Sequence, residues 1–129
     1  MSKKILLLGL IVLIIIFTTG CLSLLPTIGL ASVDEIEIVI LESFPVQVQV
    51  IASGNLPDTC TEISEINQER EGNTFFVSIK TYHPPGPCIQ VLAPFEETIP
   101  LEVYGLPVGT YTVDVNGVQG TFDLEVDNI

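Results

Sequence analysis

The side chains able to do chemistry are few and widely spaced in this chain. The single imidazole is His83, in the stretch Tyr82-His83-Pro84-Pro85-Gly86-Pro87, a loop stiffened by three prolines. A catalytic histidine needs a nucleophile or an acid held against it, and no nucleophile-elbow pattern marks any serine. His83 therefore reads as an exposed loop residue. Glu96 and Glu97 are adjacent carboxylates, the raw material of glycoside chemistry. On a strand, neighbours point to opposite faces, so the two cannot share a substrate.

Metal and cofactor signatures are equally thin. No second histidine or cysteine pair surrounds His83 to complete a zinc set. No stretch has the spaced oxygens, glycine and terminal glutamate of a calcium loop, which leaves open only a weak site assembled from several loops. There is no glycine-rich phosphate loop or dinucleotide fingerprint. The expectation is a chain without catalytic residues, bound metal or cofactor.

The three cysteines, Cys21, Cys60 and Cys88, are an odd number, so one has no partner within the chain. Cys60 and Cys88 both flank turn-rich stretches and are far from CxxC spacing, which argues against a redox-active dithiol. A Cys60–Cys88 disulfide is expected, and closing a loop of that length stabilises by roughly 3–4 kcal/mol.

Cys21 ends a different kind of segment. Lys3 and Lys4 precede an apolar run from Ile5 to Phe17, and Thr18, Thr19 and Gly20 are small residues before the thiol. That is the layout of a secretory signal peptide. It resembles a bacterial lipoprotein signal, which implies a cut after Gly20 and a lipid on Cys21. The alternative is an uncleaved membrane helix, because Ile5 to Leu25 carries no charge and is long enough to span a bilayer. Either way the membrane is a partner, through a lipid anchor or an N-terminal helix. The lysines hold the front end in the cytoplasm and the remainder is extracytoplasmic, at the cell envelope.

From Cys21 onward the chain has Arg70 and Lys80 against sixteen carboxylates, a formal charge of −14. Such a surface repels phosphate backbones, so no nucleic acid is expected as a partner. It should also stand off from anionic lipid headgroups.

The elements that position these groups follow a period of two. Ile36, Ile38 and Ile40 alternate with glutamate and valine; Val46, Val48 and Val50 alternate with glutamine. Phe75, Val77 and Ile79 form another face, as do Ile99, Leu101 and Val103, then Tyr111, Val113 and Val115, then Val118, Gly120, Phe122, Leu124 and Val126. This is the pattern of half-buried strands. Asn116-Gly117 is a two-residue hairpin signal. Pro100 suggests an edge strand or a bulge. Ile63 and Ile66, three apart, suit a bulged strand or a helix, and the turn at Gly72 favours the strand.

The stretch Leu106-Pro107-Val108-Gly109-Thr110-Tyr111-Thr112-Val113 resembles the corner of immunoglobulin-like and fibronectin-III-like domains. The resemblance assigns a structural corner to Leu106, Gly109 and Tyr111, and implies a tyrosine hydroxyl bonded to backbone. The expected fold is all-β, an antiparallel immunoglobulin-like sandwich of about seven strands, preceded by an N-terminal hydrophobic signal or anchor helix. The expected organisation is a lipoprotein signal over 1–20, a tether over 21–33 and a β-sandwich over 34–129. Cys60 and Cys88 fall near strand ends, which suggests a loop staple in place of the usual inter-sheet disulfide.

Function is legible only as a class. The first expectation is a membrane-anchored, non-catalytic module that binds a protein or glycan partner or serves as a spacer. The candidate recognition loop is His83, Pro84, Pro85 and Pro87, with Phe44-Pro45 and Leu56-Pro57 as further apolar rims. The alternative is a secreted peptidase inhibitor that presents the same proline-rich loop.

Overall fold

Val48, Val50, Ala52 and Leu56 lie on one face of an alternating run, and so do Phe75, Val77 and Ile79; both runs bury that face completely. They form β3 (Gln47–Leu56) and β5 (Thr74–His83), the central strands of two packed sheets. The computed structural model describes residues 26–129; the expected signal segment, Cys21 and the expected N-terminal helix lie outside the described residues. The remaining strands are β1 (Thr27–Leu30), β2 (Ser32–Leu41), β4 (Glu62–Glu71), β6 (Ala93–Pro100), β7 (Gly109–Val115) and β8 (Val118–Leu124). Among the described residues no helix is long and apolar enough to cross a membrane.

One sheet is β2-β3-β6, antiparallel throughout. The other is centred on β5, which pairs with β4 along one edge and with both β1 and β7 along the other. β1 takes Lys80 to His83, and β7 takes Thr74 to Val77. The β5–β7 pair is parallel, so the expectation of a purely antiparallel sandwich is corrected. Eight strands occur among the described residues, where about seven were expected.

The expected tether over 21–33 is also corrected at its C-terminal end. Thr27 to Leu30 pair with β5, Ala31 is buried in the core, and β2 begins at Ser32. An exposed linker would leave these backbone groups to water; here they complete the free half of β5. The sandwich thus starts before Asp34.

Two bulges explain sequence irregularities. The β2–β3 register shifts between Val33 and Glu35, and the β4–β5 register shifts between Ile63 and Glu65. An extra residue flips the alternation once, so Ile63 and Ile66 face the same side despite being three apart. They stand opposite Thr81 and Ile79. The strand reading of this stretch holds. Beside the first bulge the sheet needs Gly54, because a Cβ there would lie 1.9 Å from the Ser32 carbonyl oxygen.

Three rings from neighbouring strands of the β5 sheet pack together in the core. Phe75, Tyr111 and Phe122 have centroids 5.5–6.2 Å apart, within the range of favourable aromatic contact. The Tyr111 hydroxyl donates to the Pro107 carbonyl at 2.7 Å. Burying that ring therefore leaves no orphaned polar atom.

Asn116 sits where β5 changes partner. Its φ is +49°, as the hairpin turn into Gly117 demands. Its Oδ1 accepts from the Ile79 amide at 2.9 Å, and its Nδ2 donates to the carbonyls of Ala31 and Ile79 at 2.8 and 3.1 Å. We expect Asn116→Gly, which keeps the turn but removes these bonds, to cost about 2 kcal/mol, the penalty for an unpaired buried amide. Asn116→Ala should cost about 1 kcal/mol more through its left-handed backbone. Urea unfolding of both variants measures this; an Asn116→Gly protein as stable as the parent would show that the junction is held elsewhere.

Candidate functional site

The residues singled out for chemistry converge at one end of the sandwich. The loop after β3 carries Asp58 and Cys60, and the loop after β5 carries Pro84 to Leu92 with Cys88. Cys60 and Cys88 are joined in a disulfide across 28 positions, with Cα atoms 6.1 Å apart. The staple ties two loops at the sandwich end, as their positions near strand ends suggest.

Asp58 organises the inside of this corner and is only 4% exposed. Its Oδ1 accepts from the Cys60 amide at 2.9 Å, the Thr61 amide at 2.7 Å and the Thr61 hydroxyl at 2.8 Å. The result is a side-chain-capped turn of the kind aspartate favours. Its Oδ2 lies 3.2 Å from His83 Nε2. Burial pushes the Asp58 carboxyl up, but the Thr61 and Cys60 hydrogen bonds and the His83 charge outweigh it and hold the group below its usual value.

This arrangement commits the groups to each other. His83 directs one nitrogen at a buried carboxylate, which joins the end of β5 to the β3–β4 loop. An Asp58 carboxylate oxygen and the two cysteine sulfurs lie within 4.8 Å of one another. The sulfurs are bonded together, however, and a zinc ligand must be a thiolate. The corner as it stands is a clamp that couples two loops.

The register also identifies this end. Thr27 pairs with His83, so the described chain enters the domain beside the stapled loops. The opposite end is built from the β2–β3 loop, the segment between β6 and β7, and the residues after β8. A groove of about 550 Å³ opens there between the ends of β2 and β8. Phe44, 93% exposed, lines it together with Val126, Ile40 and Leu124; Glu42 and Glu125 supply negative charge.

Asn128 holds that groove in shape, although it is a polar side chain only 3% exposed. Its Oδ1 accepts from the Val46 amide at 2.8 Å, and its Nδ2 donates to the carbonyls of Val46 and Val103 at 3.0 Å each. Its backbone amide bonds to the Leu106 carbonyl at 2.8 Å. One residue thus binds the β2–β3 loop, the β6–β7 segment and the C-terminal segment together. No spacing rule marks it, because its partners come from remote parts of the chain.

The expected recognition residues separate accordingly. His83, Pro84, Pro85 and Pro87 lie at the chain-entry end, and Phe44-Pro45 lies at the groove end. Leu106, Gly109 and Tyr111 form a supporting corner; Leu106 and Tyr111 are buried. Cys21 lies outside the described residues.

Comparison with known proteins gives the same architecture. Residues 50–124 match the family model of the ORF11 beta-sandwich domain. The "Uncharacterized 10.2 kDa protein in HgiCIIM 5'region" of Herpetosiphon aurantiacus is 37% identical over 93 residues, covering 71% of this chain and 98% of that protein. The corresponding proteins of the HgiBIM and HgiEIM 5' regions, from the same organism, are each 40% identical over 83 residues, covering 64% of this chain and all of theirs. No solved structure matches the chain.

The Asp58 geometry makes a pH prediction with a definite sign. Its folded pKa is depressed, so its stabilisation is present above the unfolded value of about 4 and is lost as pH falls through the folded value. Asp58→Asn should lower the unfolding temperature at pH 7, and the gap from the parent should shrink as pH drops below about 4. Calorimetry across this range measures it; a gap that stayed constant down to strong acid would contradict the assignment.

Proposed function

The chain belongs to the ORF11 beta-sandwich domain family, and from that premise we propose that it is an envelope-anchored binding module without catalytic activity. In this reading Cys21 carries a lipid after removal of 1–20, and the domain sits outside the cytoplasm. The observation that carries the binding role is the division of the sandwich into two ends. The chain enters at the stapled end, and the groove around Phe44 opens at the other. An anchor attached at the first end leaves the groove facing away from the membrane.

The chemistry of the groove favours a protein partner over a glycan. A nearly fully exposed aromatic ring beside apolar Ile40 and Val126, rimmed by Glu42 and Glu125, suits a segment with basic and apolar side chains. The hydroxyl bond from Tyr111 to Pro107 supports an immunoglobulin-like reading of the scaffold, with the parallel β5–β7 pair as a departure. The peptidase-inhibitor alternative depends on the loop from His83 to Pro87, which the anchor would turn toward the membrane, so we favour the groove.

Two measurements in cells test this function. The full chain should fractionate with membranes, and Cys21→Ser should release it or leave it unprocessed, with Met1 to Gly20 still present by intact mass. A photo-crosslinking residue at position 44 should give a discrete protein adduct, whereas one at exposed Phe76, on the outer face of β5, should not. Equal labelling at both positions, or none at either, would contradict a partner at the groove.

A further inference from the structure

We infer that the disulfide-stapled loop is a lipid-contacting foot, which seats Ile89, Val91 and Leu92 in the membrane surface and fixes the orientation of the sandwich. The inference rests on the anchoring reading above and goes beyond it. An anchor at Cys21 alone places the stapled end nearest the membrane without setting its tilt or depth; the foot gives it a second attachment.

Three observations converge on this loop. The first is apolar exposure. Ile89 is 71%, Val91 55% and Leu92 67% exposed. Ile28, 72% exposed, lies opposite Tyr82 at the same end. The second is where the chain arrives. Thr27 pairs with His83, the last residue of β5 before the loop, and the uncharged apolar run from Ile5 to Leu25 ends immediately before Pro26. Whatever holds that run in a bilayer brings this loop with it.

The third observation is charge. In a domain with sixteen carboxylates, none occurs between Gly72 and Phe95 or between Leu22 and Val33. The carboxylates nearest this end by register are Asp58, which is buried and hydrogen-bonded, Glu62 at the start of β4, and Asp34, bonded to Asn55. None lies on the loop. The overall acidity, which argues that the domain stands off from anionic headgroups, is therefore absent from the loop itself. Apolar side chains on a rigid support enter the boundary of a bilayer more readily than the same residues on a floppy segment, because less freedom is lost. The disulfide and the Asp58–His83 contact provide that support.

The test uses the full chain, methyl-labelled, in lipid nanodiscs carrying a spin label on the acyl chains. The methyl groups of Ile89, Val91 and Leu92 should be broadened several-fold more than those of Val126 at the groove end. Ile89→Ser combined with Leu92→Ser should remove the excess at Val91; if that variant fails to fold, the comparison within the parent protein still decides. A chain that enters nanodiscs but broadens loop and groove equally overturns the foot and leaves the anchor standing. A chain that never enters overturns both. Loop methyls shielded from the lipid label and from a water-soluble relaxation agent alike would mean that the segment Leu22 to Leu25 covers them, which also overturns the inference.

Discussion

Asn116 occupies the point at which β5 changes partners, and its carboxamide bonds to both sides of the change. A single edge of β5 serves β1 over Lys80 to His83 and β7 over Thr74 to Val77. Between those stretches lies backbone that neither strand reaches. The side chain of Asn116 stands in for the missing strand, accepting from the Ile79 amide and donating to two carbonyls. Without it the Ile79 amide, in the middle of the sheet, would be left unpaired, a state native proteins avoid. The hairpin turn is thus also the seam of the sheet.

The split edge gives the molecule its two ends. β1 fills the half of β5 that leads into the stapled loops, so the chain enters there. The β7–β8 hairpin fills the other half, and its outgoing strand builds a wall of the groove. The ends are secured by different means. A disulfide and a buried carboxylate couple the loops at the entry end. At the groove end one buried carboxamide, Asn128, ties three segments by directional hydrogen bonds. Buried polar networks of this kind specify one arrangement when fully satisfied.

The sequence reveals what is local. Alternation identifies the inward faces of β3, β5, β7 and β8, and Asn116-Gly117 identifies the tight hairpin, because each signal is written in a few adjacent residues. The buried Leu101 and Val103 follow the same alternation although β6 ends at Pro100. Less is legible where tertiary pairing decides. Thr27 to Leu30 contains Gly29 and follows Pro26, and reads as a tether; it becomes a strand only because half of β5 needs a partner. The parallel β5–β7 pair and the groove join segments far apart in sequence. Asn128, the residue that holds the groove together, is invisible for the same reason, whereas exposed Phe44 beside Pro45 could be noticed as an apolar rim.

The proposed orientation of the domain depends on β1 being a strand of the sandwich, and native-state hydrogen exchange measures that residue by residue. The Ala31 amide donates to the Ile79 carbonyl at 2.9 Å, and the Ile79 amide donates to Asn116. Both amides should exchange within about tenfold of the slowest amides of β3, because they open only when the sandwich does. Exchange of Ala31 at the free-chain rate, while β3 remains protected, would mean that the segment is a loose tether and that the chain-entry end is not fixed.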